Sequence, residues 1–168
     1  MDDQRRCEEL YRAHADRVHA YARRRSNDHT ADEVVAEVFL IAWRRLDAVP
    51  NEPLPWLLGV ARKTLANHRR AMSRGAALNA RIGATLDAAT SRVGGDYAVL
   101  EALATLDPRD REVLLLIAWE GLRQEEVGTV LGVSRAAVAT RLHRARKRLA
   151  EALTAEEELA LGRGEESR

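Results

Sequence analysis

Residues 124–149 constrain this chain more than any other stretch. Val127, Val130 and Leu131 recur at helical spacing, Gly132 interrupts them, and Ser134 opens a second apolar repeat of Val138, Leu142, Ala145 and Leu149. Val133 sits between the two as an apolar plug, and Gly128 is small where the helices must come close. Two short helices joined this tightly predict a helix-turn-helix over 124–142. With Val138 facing the core and 100° per residue, Ala136, Ala137, Thr140, His143, Arg144 and Lys147 fall on the opposite face, flanked by Arg141 and Arg148. Small residues at the start let a backbone enter a DNA groove. The longer polar side chains behind them reach base edges and phosphates. A solvated bundle helix also has a polar face, but it does not need the six basic and one acidic side chains of 134–153.

The rest of the chain reads as helix too. Apolar residues are 46% of the 168, enough for a core; aromatics are only 4%, and Ala, Leu, Arg and Glu prevail. Cys7, Leu10, Tyr11, His14, Val18, Tyr21 and Ala22 form a first stripe, broken by 23–28. Thr30-Ala-Asp-Glu33 predicts a capping box opening a helix that turns Ala31, Val34, Val35, Val38, Phe39, Ala42 and Leu46 inward. Three prolines between Asp47 and Pro55 make a loop, and Pro55 suits the first turn of a helix carrying Trp56, Leu57, Val60, Ala61 and Leu65 on one side. Residues 75–95 hold four glycines and no sustained stripe, which predicts a flexible linker with a weak helix near 76–82. Tyr97, Leu100, Leu103 and Leu106 predict a short helix. Asp107-Pro108 predicts the next helix start, and Gly121 its left-handed stop. The fold class is all-α: a helical domain over 5–74, the linker 75–95, a helix-turn-helix domain over 96–153 and an acidic tail over 154–168, part of which (156–158) can extend the last helix.

Charge is segregated although it nearly cancels. The net is −2 over 1–56, +6 over 57–95, −5 over 96–133, +5 over 134–153 and −3 over 154–168. Two basic blocks beside acidic ones suggest two separate polyanion contacts rather than one broad footprint. A lone cysteine excludes a disulfide framework or a cysteine-based zinc site. His14 and His19 lie on different sides of a helix, so no metal pair is expected, and His29 and His68 read as lone, exposed side chains. Cys7, Trp43, Trp56 and Trp119 read as core. No phosphate loop, nucleophile elbow or partnered carboxylate pair supports catalysis, and no cofactor is expected. No apolar run reaches the ~20 residues of a membrane helix, and the first residues lack a signal-peptide core, so a cytoplasmic protein is expected.

Four stretches in order carry a family resemblance. Thr30-Ala-Asp-Glu-Val-Val-Ala-Glu-Val-Phe-Leu-Ile-Ala-Trp43 is an acidic, apolar run ending in Ala-Trp. Pro55-Trp-Leu-Leu-Gly-Val-Ala-Arg62 follows it. Leu106-Asp-Pro-Arg-Asp-Arg-Glu-Val-Leu114 and the 131–149 segment complete the set. The chain resembles an extracytoplasmic-function sigma factor of the sigma-70 family, the specificity subunit of bacterial RNA polymerase, with 7–74 like region two and 96–153 like region four.

The resemblance implies that region two docks on the clamp helices of the polymerase largest subunit and captures the unwound minus-ten strand of promoter DNA. It implies that region four binds the minus-thirty-five duplex and the flap of the second-largest subunit, and that an anti-sigma factor is a partner. Asp32, Glu33, Glu37, Arg44 and Arg45 are then the charged side of the polymerase interface. The 47–52 loop holds a flipped base by polar groups, having no aromatic to stack on it. Arg62, Lys63, Asn67, Arg69 and Arg70 supply strand contacts. In the recognition helix, Ala136, Ala137 and Ala139 stand where relatives often have Gly-Thr and a basic residue, so base reading shifts to Arg135, Thr140, Arg141, His143 and Arg144, with Lys147 on phosphate. Lys63 replaces a frequent Asn, and Arg123 replaces the usual Ser/Thr cap, which predicts a weak helix start there. The competing reading is a stand-alone helix-turn-helix regulator that binds duplex DNA without polymerase. It leaves the helical domain over 5–74 without a purpose.

Overall fold

A computed structural model describes residues 3–79 and 97–165, with side chains for 3–74 and 99–155. The described residues are helical throughout apart from short connections: α1 (Asp3–Arg23), α2 (Asp28–Arg44), a single 3-10 turn (Leu46–Ala48), α3 (Pro53–Asn79), α4 (Tyr97–Ala104), α5 (Pro108–Ala118), α6 (Gln124–Leu131) and α7 (Arg135–Glu165). They belong to two compact units, one built on α1, α2 and α3, the other on α4, α5 and α7 with the start of α6 up to Gly128. The all-α class expected from the sequence is the one observed. The expected linker lies outside the described residues from 80 to 95, and α3 runs on to Asn79.

The first unit is a three-helix bundle. Val18, Tyr21 and Ala22 of α1 meet Ala31, Val34, Val38 and Ala42 of α2 and Leu57, Leu58 and Ala61 of α3, all with no exposed surface. Fully burying a side chain the size of Leu57 or Leu58 contributes about 1.5–3 kcal/mol. The start of α2 differs from the expected capping box. Asn27 is the N-cap: its Oδ1 accepts from the Thr30 N–H at 2.8 Å, which places Thr30 inside the first turn. Asn is at least as good a cap as Thr, and using it adds a turn of helix with Asp28 at the favourable end of the dipole. Tyr11 also departs from expectation. Its ring stands edge-on to Phe39 at 4.8 Å, yet it is about half exposed.

The second unit follows the expected signals closely. Asp107 caps α5 by accepting from the Arg109 N–H at 2.9 Å, with Pro108 at the first position. Gly121 and Gly132 both take left-handed backbone (φ 66° and 67°), the conformation that ends a helix without a Cβ penalty. Gly128 has a different reason. A Cβ there would stand 2.8 Å from the Val133 carbonyl, whose own N–H donates to the Gly128 carbonyl at 3.0 Å. The turn between α6 and α7 closes only around a residue with no side chain. Ser134 caps α7, its Oγ accepting from the Ala137 N–H at 3.2 Å. Val113, Leu116, Val127, Val138, Leu142 and Ala145 form the buried seam.

Candidate nucleic-acid and polymerase interfaces

The outer face of α7 is arranged as its periodicity predicts. With Val138, Leu142 and Ala145 buried, Arg135, Ala136, Thr140, His143, Arg144 and Lys147 are exposed, and Ala137 and Arg141 are half-buried beside them. Several of these side chains already have partners. Arg135 Nε lies 3.1 Å from Glu125 Oε1, and Lys147 Nζ 4.0 Å from Glu151. The Thr140 hydroxyl donates to the Ala136 carbonyl at 3.1 Å. Exposed ion pairs of this kind contribute little and give way readily.

Arg144 is different. Its Nε and Nη2 donate to Asp110 Oδ2 and Oδ1 at 3.1 and 2.8 Å, a fork onto a carboxylate that is 2% exposed. These bonds, above all, raise the Arg144 guanidinium above its ordinary pKa. Sequence reading sent Arg144 to the DNA and assigned Asp110 nothing. The available signal was position: Asp110 is the third residue of α5, where the helix dipole favours a carboxylate.

The start of α6 is secured in a way that corrects the expected weakness at Arg123. Glu126 Oε2 accepts the Arg123 backbone N–H at 2.6 Å, and Oε1 pairs with Arg123 Nη2 at 3.2 Å. This is the reciprocal half of a capping box, made without a Ser or Thr. The Arg123 side chain thereby holds the Glu126 carboxyl below its ordinary pKa.

On the first unit, Lys63, Asn67 and Arg70 align at i, i+4 and i+7 on the exposed ridge of α3, with Arg62 and Arg69 on a second line seven apart. All five are exposed. Arg70 donates to Asn67 Oδ1 at 2.6 Å, and Arg69 donates to the Arg25 carbonyl at 2.9 Å, tying α3 to the α1–α2 connection. The 47–52 loop rims a cavity of about 330 Å³. Val49, Pro50 and Asn51 stand on one side, Arg6, Glu9 and His14 of α1 on the other. Burial and the nearby Arg17 lower the His14 pKa.

The five residues expected at a polymerase interface are all exposed, and three of them have partners on neighbouring helices. Asp32 turns toward α1, its Oδ1 3.1 Å from His19 Nε2. Glu33 and Glu37 face α3, where His68 lies between them (Nε2 to Glu37 2.8 Å, Nδ1 to Glu33 3.7 Å). His68 is therefore neither lone nor freely exposed as expected; its side chain is only 22% exposed. His29 is indeed exposed but lies 3.4 Å from Glu33. Arg44 continues the exposed ridge of α2, and Arg45 is past its end as the C-cap. The ridge also carries what charge-based reading overlooked: Leu40 and Trp43, each 48% exposed. Trp43 was expected in the core. It instead lines an apolar groove with Cys7, Tyr11, Gln4 and Arg12. Cys7 is half-buried there, and burial pushes its thiol pKa up. Trp56 and Trp119 are half-buried. Among the described residues no group of three His, Cys, Asp or Glu could hold a metal ion, and no helix is long and apolar enough to cross a membrane.

Among the described residues, an all-helical fold with a glycine-turned helix-turn-helix and a three-helix bundle, each exposing a basic ridge, defines a helical protein with two candidate nucleic-acid faces. Comparison with known proteins narrows it. Residues 10–75 match Sigma-70 region 2 and residues 97–149 match Sigma-70, region 4. The chain is 30% identical over 155 residues to the RNA polymerase sigma factor CarQ of Myxococcus xanthus, covering 87% of this chain and 88% of that one. It is 34% identical over 154 residues to the ECF RNA polymerase sigma factor SigE of Mycolicibacterium smegmatis, covering 84% of this chain and 59% of SigE. It is 37% identical over 128 residues to the Xanthomonas campestris pv. campestris protein named "Probable RNA polymerase sigma factor RfaY", covering 69% of this chain and 32% of that one. The chain thus spans between a third and three fifths of the length of some relatives it matches. Among solved structures, CnrH in complex with the cytosolic domain of CnrY matches at 27% identity with a TM-score of 0.62, covering 90% of each chain. The sigma factor RpoE of Bartonella quintana, solved with the anti-sigma factor NepR, shares the fold at TM-score 0.66 and 21% identity, covering 88% of this chain and 96% of that one. The chain belongs to the extracytoplasmic-function sigma factors of the sigma-70 family.

Proposed function

We propose that this chain directs core RNA polymerase to specific promoters and starts transcription there without being an enzyme itself. Region four reads the minus-thirty-five duplex through the exposed face of α7, where Arg135, Thr140, Arg141, His143 and Arg144 reach base edges and Lys147 reaches phosphate. Ala136 and Ala137 let the start of α7 approach the groove. Region two captures the opened minus-ten strand along the α3 ridge of Lys63, Asn67 and Arg70, with Arg62 and Arg69 beside it. The 47–52 loop holds a flipped base, and its cavity offers polar groups from Arg6, Glu9 and Asn51 in place of an aromatic.

Core polymerase docks on the α2 ridge, where Leu40 and Trp43 give an apolar centre and Glu33, Glu37 and Arg44 a charged rim. Asp32 and Arg45 flank that surface. The clamp helices of the largest subunit are the partner on region two and the flap of the second-largest subunit the partner on region four. An anti-sigma factor competes for these surfaces, and the protein works in the cytoplasm. The observation that carries the reading is the pairing, within one chain, of both matched regions with an exposed basic ridge on each. Genome-wide mapping of the chain's DNA occupancy with and without core polymerase tests it. Sites that appear only with core support the proposal. The same sites occupied without core would instead identify a stand-alone regulator.

A further inference from the structure

From the Asp110–Arg144 fork we infer that Asp110 is a positioning residue for promoter specificity: it aims the Arg144 guanidinium so that its outer edge reads a guanine in the duplex. The inference rests on the reading of α7 as the duplex-binding helix. A guanidinium has five N–H donors, one on Nε and two on each terminal nitrogen. Asp110 takes the Nε–H and one Nη2–H, which is the side-on fork. The end-on fork, the outer Nη1–H and the second Nη2–H, is not used by Asp110. That edge presents two parallel N–H donors at a spacing that matches O6 and N7 of guanine.

Burial and helical position support the assignment. The carboxylate is 2% exposed while the Arg144 side chain is 54% exposed, so the guanidinium is tied to a buried group while much of the side chain stays open to solvent. Arg144 lies four residues after Thr140 and seven after Ala137, on the shoulder of α7 that turns toward α5. An arginine at that position swings through many rotamers unless something fixes it, and ordering a freely rotating side chain on binding costs free energy. Asp110 removes that freedom before DNA arrives. Its charge is matched by Arg144, so it does not repel phosphates as an unpaired carboxylate would. Preorganising a contacting group through a buried neighbour is the usual way to sharpen a polar site.

The test uses holoenzyme reconstituted from core polymerase and the full chain, with site selection from a random-sequence duplex library placed upstream of a fixed start region. Wild type is expected to select one G·C pair whose preference falls at least fivefold in Arg144→Lys, which keeps the pair to Asp110 but loses the planar fork. Asp110→Asn is expected to lose the same preference at the same base pair and no other. Combining the two changes is expected to lose no more at that position than Arg144→Lys alone. Thermal melting confirms that each variant is folded. If Asp110→Asn does not fold, Asp110→Glu, which shifts the carboxylate by one methylene, takes its place with the same expected loss. The proposal is overturned if the Asp110 variant keeps the preference that Arg144→Lys loses, or if Arg144→Lys lowers the melting temperature and leaves every base preference intact. A wild-type holoenzyme that selects no upstream sequence would overturn the reading of α7 itself, an outcome distinct from both.

Discussion

Arg144 and Asp110 join α7 to α5 through two hydrogen bonds of 3.1 and 2.8 Å, with the carboxylate buried and the guanidinium half in solvent. The asymmetry decides what a mutation does. Arg144→Ala leaves a buried carboxylate with no cation, a change expected to be destabilising. Replacing both partners with Leu removes the stranded charge and is expected to recover most of that loss. Urea unfolding of the three proteins, followed by circular dichroism, checks the order. An unchanged midpoint for Arg144→Ala would mean that water reaches Asp110 as easily as Arg144 does.

Glu126→Ala is expected to cost about 1 kcal/mol, the size of a lost helix cap, because it frees the Arg123 N–H at the start of α6. Its effect depends on pH in a defined direction. Arg123 holds the carboxyl below its ordinary value of 4.5, so the contribution is complete above that pH and is lost as pH falls through the folded value. Melting temperatures of wild type and Glu126→Ala should therefore differ at pH 7 and converge in acid. A gap that persists unchanged at low pH would mean the glutamate acts through packing.

Gly128→Ala places a methyl group 2.8 Å from the Val133 carbonyl, which is backbone and cannot rotate aside. A loss of about 1–3 kcal/mol follows from forcing the turn open. The unfolding free energy of the variant measures it. A wild-type value would show that α6 and α7 can part without cost.

The helices were legible because their signals are local. Asp107-Pro108, Ser134, Gly121 and Gly132 each announce a boundary through one residue's own chemistry, and the buried seam from Val127 to Ala145 follows from spacing alone. What was not legible depends on partners far apart in the chain. Asp110 and Arg144 are 34 residues apart, and Glu37 and His68 are 31 apart; nothing in the spacing pairs them. Trp43 misled for another reason. Large aromatics are usually buried, and only the packing of α1 against α2 reveals that this one stays on the surface. Asn27 displaced the expected Thr30 cap because two good capping residues stood three apart, and composition alone does not choose between them.

Trp43→Ala separates stability from partner binding. The indole is half exposed, so the variant should melt within a few degrees of wild type while losing at least tenfold in affinity for core polymerase, as expected of an aromatic anchor. Binding measured by fluorescence anisotropy of the labelled chain against core polymerase gives the number. Undiminished affinity would remove Trp43 from the docking surface.

The most direct measurement of the central claim is run-off transcription with purified core polymerase, with and without the chain, on DNA fragments recovered from its occupancy sites. Promoter-specific transcripts that require both core polymerase and the chain are the predicted result. Footprints from the chain alone, with no initiation when core is added, would contradict it.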